Sequence, residues 1–456
     1  MSGKLKITGS AAAWIALALL VVPMFGSYFF DDMFSTVSFI FNDPSALQLG
    51  WGQEQYGQYT SGYSILCIFG GLVLCGMLLD KWGVRITGSI FVGLMVAGAA
   101  MITWAVSSAL PASQSLTVAW VGCMIFGLGS EIAGVAVTRS IAKWFKGRGM
   151  AFAMGLQLAI ARLGTATAFL LSPVLIQQKD FYTLAETARP ALFGMMLLLV
   201  GAIFWAVFVA MDARFDRALR AMPREDSSSA AGADRTSSSE SEQFRFKDLL
   251  KVLSNPEWWL LALLCVFFYS SIVAFKKFTG AILVPRFGVS AGVAGLMATI
   301  LPFSTVVFAP LFGLMVDRRG NGTRWMVFGA VLALAAHLIL SFAPSGNAFW
   351  GYAAMVLLGF SYSLVPAALW PSVPKVIPDR MLGTAFALIY WVQNLGLWGF
   401  KRLAGRILES ASTGSSPILN VELMFLGVCV AALVLAVLFA VSSRRHPELA
   451  LDKANK

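Results

Sequence analysis

Charge is scarce in this chain. Only 12% of its 456 residues are Asp, Glu, Lys or Arg, about half the share of an average soluble domain. That composition excludes an ordinary water-soluble globule. Histidine is scarcer still: His337 stands in an apolar run and His446 near the end of the chain. A His-based metal or catalytic centre has no support. Cys67, Cys75, Cys123, Cys265 and Cys429 all fall inside apolar runs, with no disulfide or metal spacing. They read as small core residues. No Gly-x-x-x-x-Gly-Lys-[Ser/Thr] occurs, which removes the phosphate loop of an ATP-driven pump. No spacing suggests a catalytic nucleophile and base. We expect no enzyme activity, no cofactor and no metal.

Apolar length is what the chain has in abundance. Hydrophobic residues make up 58% and the mean hydropathy is +0.75. Stretches of about 20 apolar residues recur from end to end, the length a membrane-crossing helix needs. The pattern predicts an all-α membrane protein of twelve spans, near 11–41, 57–79, 86–107, 117–142, 149–177, 190–211, 256–284, 289–315, 324–343, 349–374, 382–405 and 418–441. The first run follows Lys4 and Lys6 but is too long for a signal-peptide core, so it reads as a retained span. The net charge of +11 does not point to nucleic acid, because the basic residues cluster on alternate loops. Loops 42–56, 108–116 and 344–348 carry no Lys or Arg. The positive-inside rule then places both termini in the cytoplasm.

Residues 213–255 interrupt the pattern. Glu225–Glu242 contains seven serines and mixed charge, the composition of a disordered linker. Phe244–Leu253 reads as a short amphipathic helix on the membrane surface. The expected domains are a six-helix bundle over 1–212, the linker 213–255, a second six-helix bundle over 256–443 and a cytoplasmic tail over 444–456.

The halves resemble each other. Gly50, Gly57 and the loop from Gly76 through Asp80 to Arg85 recur as Gly288, Gly295 and the loop from Gly313 through Asp317 and Arg318 to Arg324. The offset is 237–238 positions at the glycines and aspartates. An internal repeat of this length is a transporter signature. The Gly-x-x-x-Asp-[Arg/Lys]-x-Gly loop resembles the signature loop of the major facilitator superfamily. That resemblance implies two rocking six-helix bundles. Gly76, Asp80, Arg85, Arg139, Asp317 and Arg318 are then candidate gating residues.

Charges inside the spans are the candidate site. An ionisable residue near the bilayer centre costs at least about 2.5 kcal/mol. Glu131 lies roughly 21 Å along the fourth span and Arg162 roughly 20 Å along the fifth, from opposite faces, so their depths match. Three readings stay open: mutual neutralisation in a packed helix pair, a cavity that holds both ends of a zwitterion, and an anion site at Arg162 with Glu131 as a proton site. Asp31 and Asp32 lie near the outer third of the first span, as gate residues or as interfacial caps. Tyr28 precedes them. Lys276 and Lys277 lie roughly 30 Å along the seventh span, drawing a carboxylate inward or snorkelling to headgroups. Tyr269, Tyr362, Gln393 and Asn394 lie near mid-depth and need polar partners, either a wet cavity or neighbouring helices. Trp370, Tyr390 and Trp391 pack on a substrate or on one another. Lys401, Arg402 and Arg406 run against the positive-inside trend, and His337 reads as structural.

Gly129–Glu131, Trp144–Gly147, Gly155–Gly164, Gly359–Pro371 and Leu382–Leu397 resemble the animal lysosomal dipeptide uniporter family. That resemblance implies that Glu131 serves the peptide amino end and Arg162 the carboxylate. The expected function is secondary transport of dipeptides or short peptides by a monomer, as uniporter or proton-coupled symporter. The partners expected are a zwitterionic small-molecule substrate, protons in the symport case, and membrane lipid. The Trp-Phe-basic-Gly turn is also similar to the monocarboxylate and oxalate/formate branch, so organic-anion transport is the alternative. A non-transporting receptor on the same fold is the second alternative. The single Asn-x-[Ser/Thr] sequon, Asn321-Gly322-Thr323, falls on the cytoplasmic side, which favours a bacterial inner membrane over a lysosomal one.

Overall fold

The computed structural model describes residues 10–145, 149–220, 246–378, 381–410 and 416–453, and these are helical almost throughout. Inside hydrocarbon every backbone N–H and C=O must be paired within the chain, and a helix does that locally. Ten helices among the described residues are long and apolar enough to cross a membrane. Their outer surfaces carry bare Ile203, Leu311, Leu314, Val434 and Leu438, the side chains that belong against lipid.

In chain order the helices are α1 Ser10–Asp32, α2 Gln53–Ile68, α3 Gly71–Ser107, α4 Ala112–Trp144, α5 Met150–Leu175 and α6 Arg189–Arg220. There follow α7 Phe246–Leu253, α8 Pro256–Tyr269, α9 Thr279–Phe287, α10 Ala291–Arg319, α11 Gly322–Phe342, α12 Ala348–Leu369, α13 Leu382–Glu409 and α14 Pro417–Arg445. The start of α1 and the end of α14 define a termini face. The ends of α1, α5 and α13 define the far face. Helix α1 packs on α5 and α6, and α4 on α2 and α3; farther on, α12 packs on α10 and α11, and α14 on α8 and α11.

The N-terminal and C-terminal helices meet mainly through α2 against α13 and α5 against α10. Glycine makes both seams possible. A Cβ on Gly57 would stand 2.8 Å from the Lys401 carbonyl oxygen, one on Gly405 2.4 Å from that of Gln53, and one on Gly295 2.4 Å from that of Phe169. Backbones come this close only where side chains are missing.

Four expected spans differ in detail. The second begins earlier, at Gln53, and breaks at Gly70, whose φ of 85° only glycine adopts cheaply. The chain then runs helical from Gly71, leaving helical geometry at Gly83 (φ 75°, ψ 169°), between the expected spans two and three. Helix α2 has 16 residues, too few to count as a span. The eleventh expected span, α13, is longer but carries Gln393, Asn394, Lys401, Arg402 and Arg406. These two helices pack on each other, so part of each surface faces protein. The first expected span stops at Asp32 and is followed by a short 3₁₀ helix, Ser38–Asn42. The seventh contains a π-helical turn, Ser270–Ala274, and breaks at Phe278 before α9.

The Ser-rich part of the linker lies outside the described residues. The end of the chain does not stand apart. Asp452 accepts hydrogen bonds from Thr323 and Ser443, and its carbonyl accepts one from the Asn321 amide.

Candidate functional site

A cavity of about 710 Å³ lies between the two sets of helices. Tyr28, Arg162, Tyr269 and Tyr362 line its mid-depth end, and Gly155, Gly313 and Pro371 line it toward the termini face. Beyond its inner end the α2–α13 seam and the loops of the far face close the molecule.

Among the described residues, Arg162 is the only charged one that lines the cavity. Its guanidinium carbon sits 5.6 Å from the Tyr28 ring centroid and 5.4 Å from that of Tyr362. Ring faces attract a cation but do not neutralise it. None of the ion pairs among the described residues includes Arg162. Tyr362 takes a hydrogen bond from it, and with five N–H groups on the guanidinium the remaining donors suit a planar, bidentate anion.

Glu131 is exposed, yet it is absent from the cavity lining. The Tyr63 hydroxyl donates to its Oε1 at 2.9 Å. The adjacent Ser130 bonds Ser27 of α1 at 2.6 Å. No ion pair joins Glu131 to Arg162 among the described residues, so the reading of mutual neutralisation does not hold. Arg162 lines the cavity and Glu131 does not.

The C-terminal wall is aromatic and neutral. The Trp370 indole donates to the Tyr269 hydroxyl at 3.0 Å, and Trp370 stacks on Tyr390 with centroids 5.2 Å apart. Gln393 lines the cavity and its Oε1 has no partner, so that amide is left to bond something else. Asn394 does not line the cavity; it donates to its own helix, at the Tyr390 carbonyl.

Three expected site residues are placed elsewhere. Asp32, Lys276 and Lys277 line no part of the cavity. Asp32 is 1% exposed, Lys276 7% and Lys277 1%. Lys276 Nζ reaches Asp32 Oδ2 at 2.7 Å, while Lys277 Nζ reaches Asp32 Oδ1 at 2.8 Å and Asp31 Oδ2 at 2.7 Å. Thr165 adds a hydrogen bond to Asp32 at 2.8 Å. Neither lysine snorkels, because each finds a carboxylate on the opposite set of helices. Around this cluster the backbones also join: the Gly280 amide donates to the Ser35 carbonyl, and the Tyr56 hydroxyl to that of Lys277. It is a latch across the far face.

The gating candidates lie on or near the termini face. Arg85 reaches Asp216 at 2.7 Å and Asp212 at 3.5 Å, and Lys143 reaches the same two carboxylates. The Trp144 indole also donates to Asp212. This cluster ties α3, α4 and α6 to one another. Gly76 lies inside α3, and Asp317 and Arg318 are exposed at the end of α10. Arg139 is half-buried on α4. The Asp80 side chain lies outside what the structure describes, as do Lys146, Gly147 and Arg148.

Sequence reasoning missed Tyr63, the Asp212–Asp216 pair and Glu422. Asp212 and Asp216 sit one helical turn apart, a spacing that could have marked them as one face. Glu422 is wholly buried on α14 and its Oε2 lies 2.9 Å from His337 Nδ1. His337 Nε2 lies 3.2 Å from the Ser271 carbonyl, inside the π turn.

A cleft between two helix sets, sealed on one face and holding unpaired charge at mid-depth, is the architecture of a secondary transporter. The Major Facilitator Superfamily model matches residues 24–398, and the chain belongs to that family. It is therefore a multi-pass integral membrane protein that transports a small molecule, and not an enzyme. It is 29% identical over 417 residues to the lysosomal dipeptide transporter MFSD1 of Bos taurus, covering 87% of this chain and 79% of that protein. The Homo sapiens protein of the same name is 28% identical over 417 residues, with 87% and 80% covered. The inward open structure of the xylose transporter XylE from E. coli superposes with a TM-score of 0.66 at 13% identity, covering 94% of this chain and 95% of that one.

Proposed function

We propose that this protein carries dipeptides or short peptides across its membrane by alternating access. The observation that carries the reading is that Arg162 and Glu131, opposite charges on consecutive helices, have no ion-pair partner among the described residues. Arg162 lies between two tyrosine rings, and among the described residues Glu131 is held by a tyrosine hydroxyl alone. A free carboxylate suits Arg162 and a free ammonium suits Glu131. The cavity falls within the usual range for small ligands, roughly 300–1,000 Å³, and its aromatic wall suits varied side chains. The relatives named for dipeptide transport support the same reading.

The chain would cross the membrane twelve times, with α2 and α13 as the two protein-facing spans, in two bundles joined by the linker. Loop charge puts the termini face in the cytoplasm, which makes the present conformation inward-facing. The far-face latch and the α2–α13 seam would part in the opposite state.

One observation favours a second reading, transport of an organic anion: Glu131 does not line the cavity, whereas Arg162 does. Thermal stabilisation of the purified protein separates the two. L-alanyl-L-alanine raises the melting temperature under the peptide reading, and its N-acetylated form does not. Stabilisation by lactate or oxalate, with none by any dipeptide, would establish the anion reading instead.

A further inference from the structure

Lys401 is an anomaly of charge. It lies eight residues before the end of α13 and is 2% exposed. No carboxylate pairs with it among the described residues. Its ammonium makes one hydrogen bond, to the Thr60 carbonyl at 3.3 Å, and stands 5.6 Å from the Tyr63 ring centroid. The nearby latch does not need it, because Asp31 and Asp32 are already matched by Lys276 and Lys277. A buried ion without a counter-charge costs several kcal/mol. An apolar side chain would pack this seam at lower cost.

Tyr63 connects that anomaly to the cleft. Its ring lies beneath the Lys401 ammonium while its hydroxyl holds Glu131 at 2.9 Å. A cation without a carboxylate and a carboxylate without a cation thus share one tyrosine, on the seam that must part when the far face opens. A carrier has to cross back after releasing its cargo. Glu131 then lacks a substrate amino group at the moment it is enclosed, and an enclosed lone carboxylate is as costly as an enclosed lone ammonium.

We propose that Lys401 is a tethered counter-cation that replaces the substrate amino group at Glu131 while the empty carrier returns. Movement of α2 against α13 and rotation of the Tyr63 ring bring the two charges together. The loaded carrier does not use this contact, because the peptide's own ammonium occupies Glu131. The inference rests on the peptide reading of the site.

Proteoliposomes of the full-length protein test it with L-alanyl-L-alanine as the probe. Net uptake requires the empty return, whereas counterflow of labelled against unlabelled dipeptide does not. In Lys401→Met, net uptake falls by about tenfold or more while counterflow stays within about twofold, and the melting temperature holds or rises because an unpaired buried charge is gone. Lys401→Arg restores net uptake. Equal retention of both modes in Lys401→Met overturns the proposal. So does equal loss of both in a protein that melts like wild type, since Lys401 would then serve the loaded carrier. Absence of dipeptide counterflow in the wild type overturns the peptide reading itself, which separates the two failures.

Discussion

The far-face latch and the mid-depth cleft are built from the same side-chain chemistry and end in opposite states. In the latch two aspartates and two lysines come from opposite sets of helices and neutralise one another in a cluster that is buried at all but Asp31. In the cleft Glu131 and Arg162 come from consecutive helices of one set and do not pair. A charge that has a resident partner holds a conformation; a charge that lacks one is available to a ligand. The contrast therefore separates closure from recognition, although all six residues lie within spans where charge is costly. It also shows that the latch lysines, which look like anion hooks in sequence, are already occupied by Asp31 and Asp32.

The comparison breaks most visibly at Arg162. Arg162→Ala removes a cation that no protein carboxylate depends on. Dipeptide uptake should fall by about 1,000-fold, equivalent to about 4 kcal/mol of lost recognition. The melting temperature of the unliganded protein should change little, since two ring contacts and a hydrogen bond to Tyr362 are lost but no ion pair. A variant that transports normally would show that the unpaired charge is not the recognition element. Asp32→Asn should behave in reverse. It leaves Lys276 and Lys277 short of a buried counter-charge, and removal of one partner from such a cluster costs about 3 kcal/mol or more. The melting temperature should drop, and a cysteine placed at Ser38 should become more reactive to maleimide as the far face loosens. Adding Lys276→Met should recover part of the loss, a coupling that a double-mutant cycle measures.

How much of this was legible depends on what each residue's facing requires. Composition and the period of apolar runs sufficed for the membrane class, because they do not depend on which way a side chain points. The repeated loops at Asp80 and Asp317 sufficed for the family. Glu131 and Arg162 were marked by cost alone, yet their separation was not, because equal depth on adjacent helices says nothing about azimuth. The lysines were harder. A count along a regular helix from Pro256 sends Lys276 and Lys277 toward the headgroups. The π turn at Ser270–Ala274 changes the number of residues per turn just before them, so every later side chain faces a different direction. The matching Asp31-Asp32 and Lys276-Lys277 pairs, 245 positions apart, come close to the repeat offset, and that was the available signal. His337 lies outside the cavity lining, and its partner Glu422, near the start of α14, resembles an interfacial cap in sequence. Helix α2 escaped a clean reading because its partner is protein, which removes the demand for apolar length.

The smallest effect concerns a third kind of charge, one that is paired but wet. Glu186 lies in a one-turn helix on the far face, outside the spans, where it bonds Lys179 and closes a capping box with Thr183. The Lys179 ammonium, followed by the Thr183 hydrogen bonds, lowers its carboxyl to about 2. A carboxylate depressed in the folded state contributes stability that is present above its unfolded value, about 4.3. That contribution is lost as pH falls from there toward about 2. Melting curves of wild type and Glu186→Gln should therefore differ slightly at pH 6 and converge as the pH is lowered through this window. The difference should shrink with added salt, because water and counter-ions screen an exposed pair. The Asp32 pair is buried, so salt should leave the effect of Asp32→Asn almost unchanged. If salt weakens both variants' effects equally, the latch is wetter than its burial implies, and the distinction between closure charges and surface charges fails at its sharpest point.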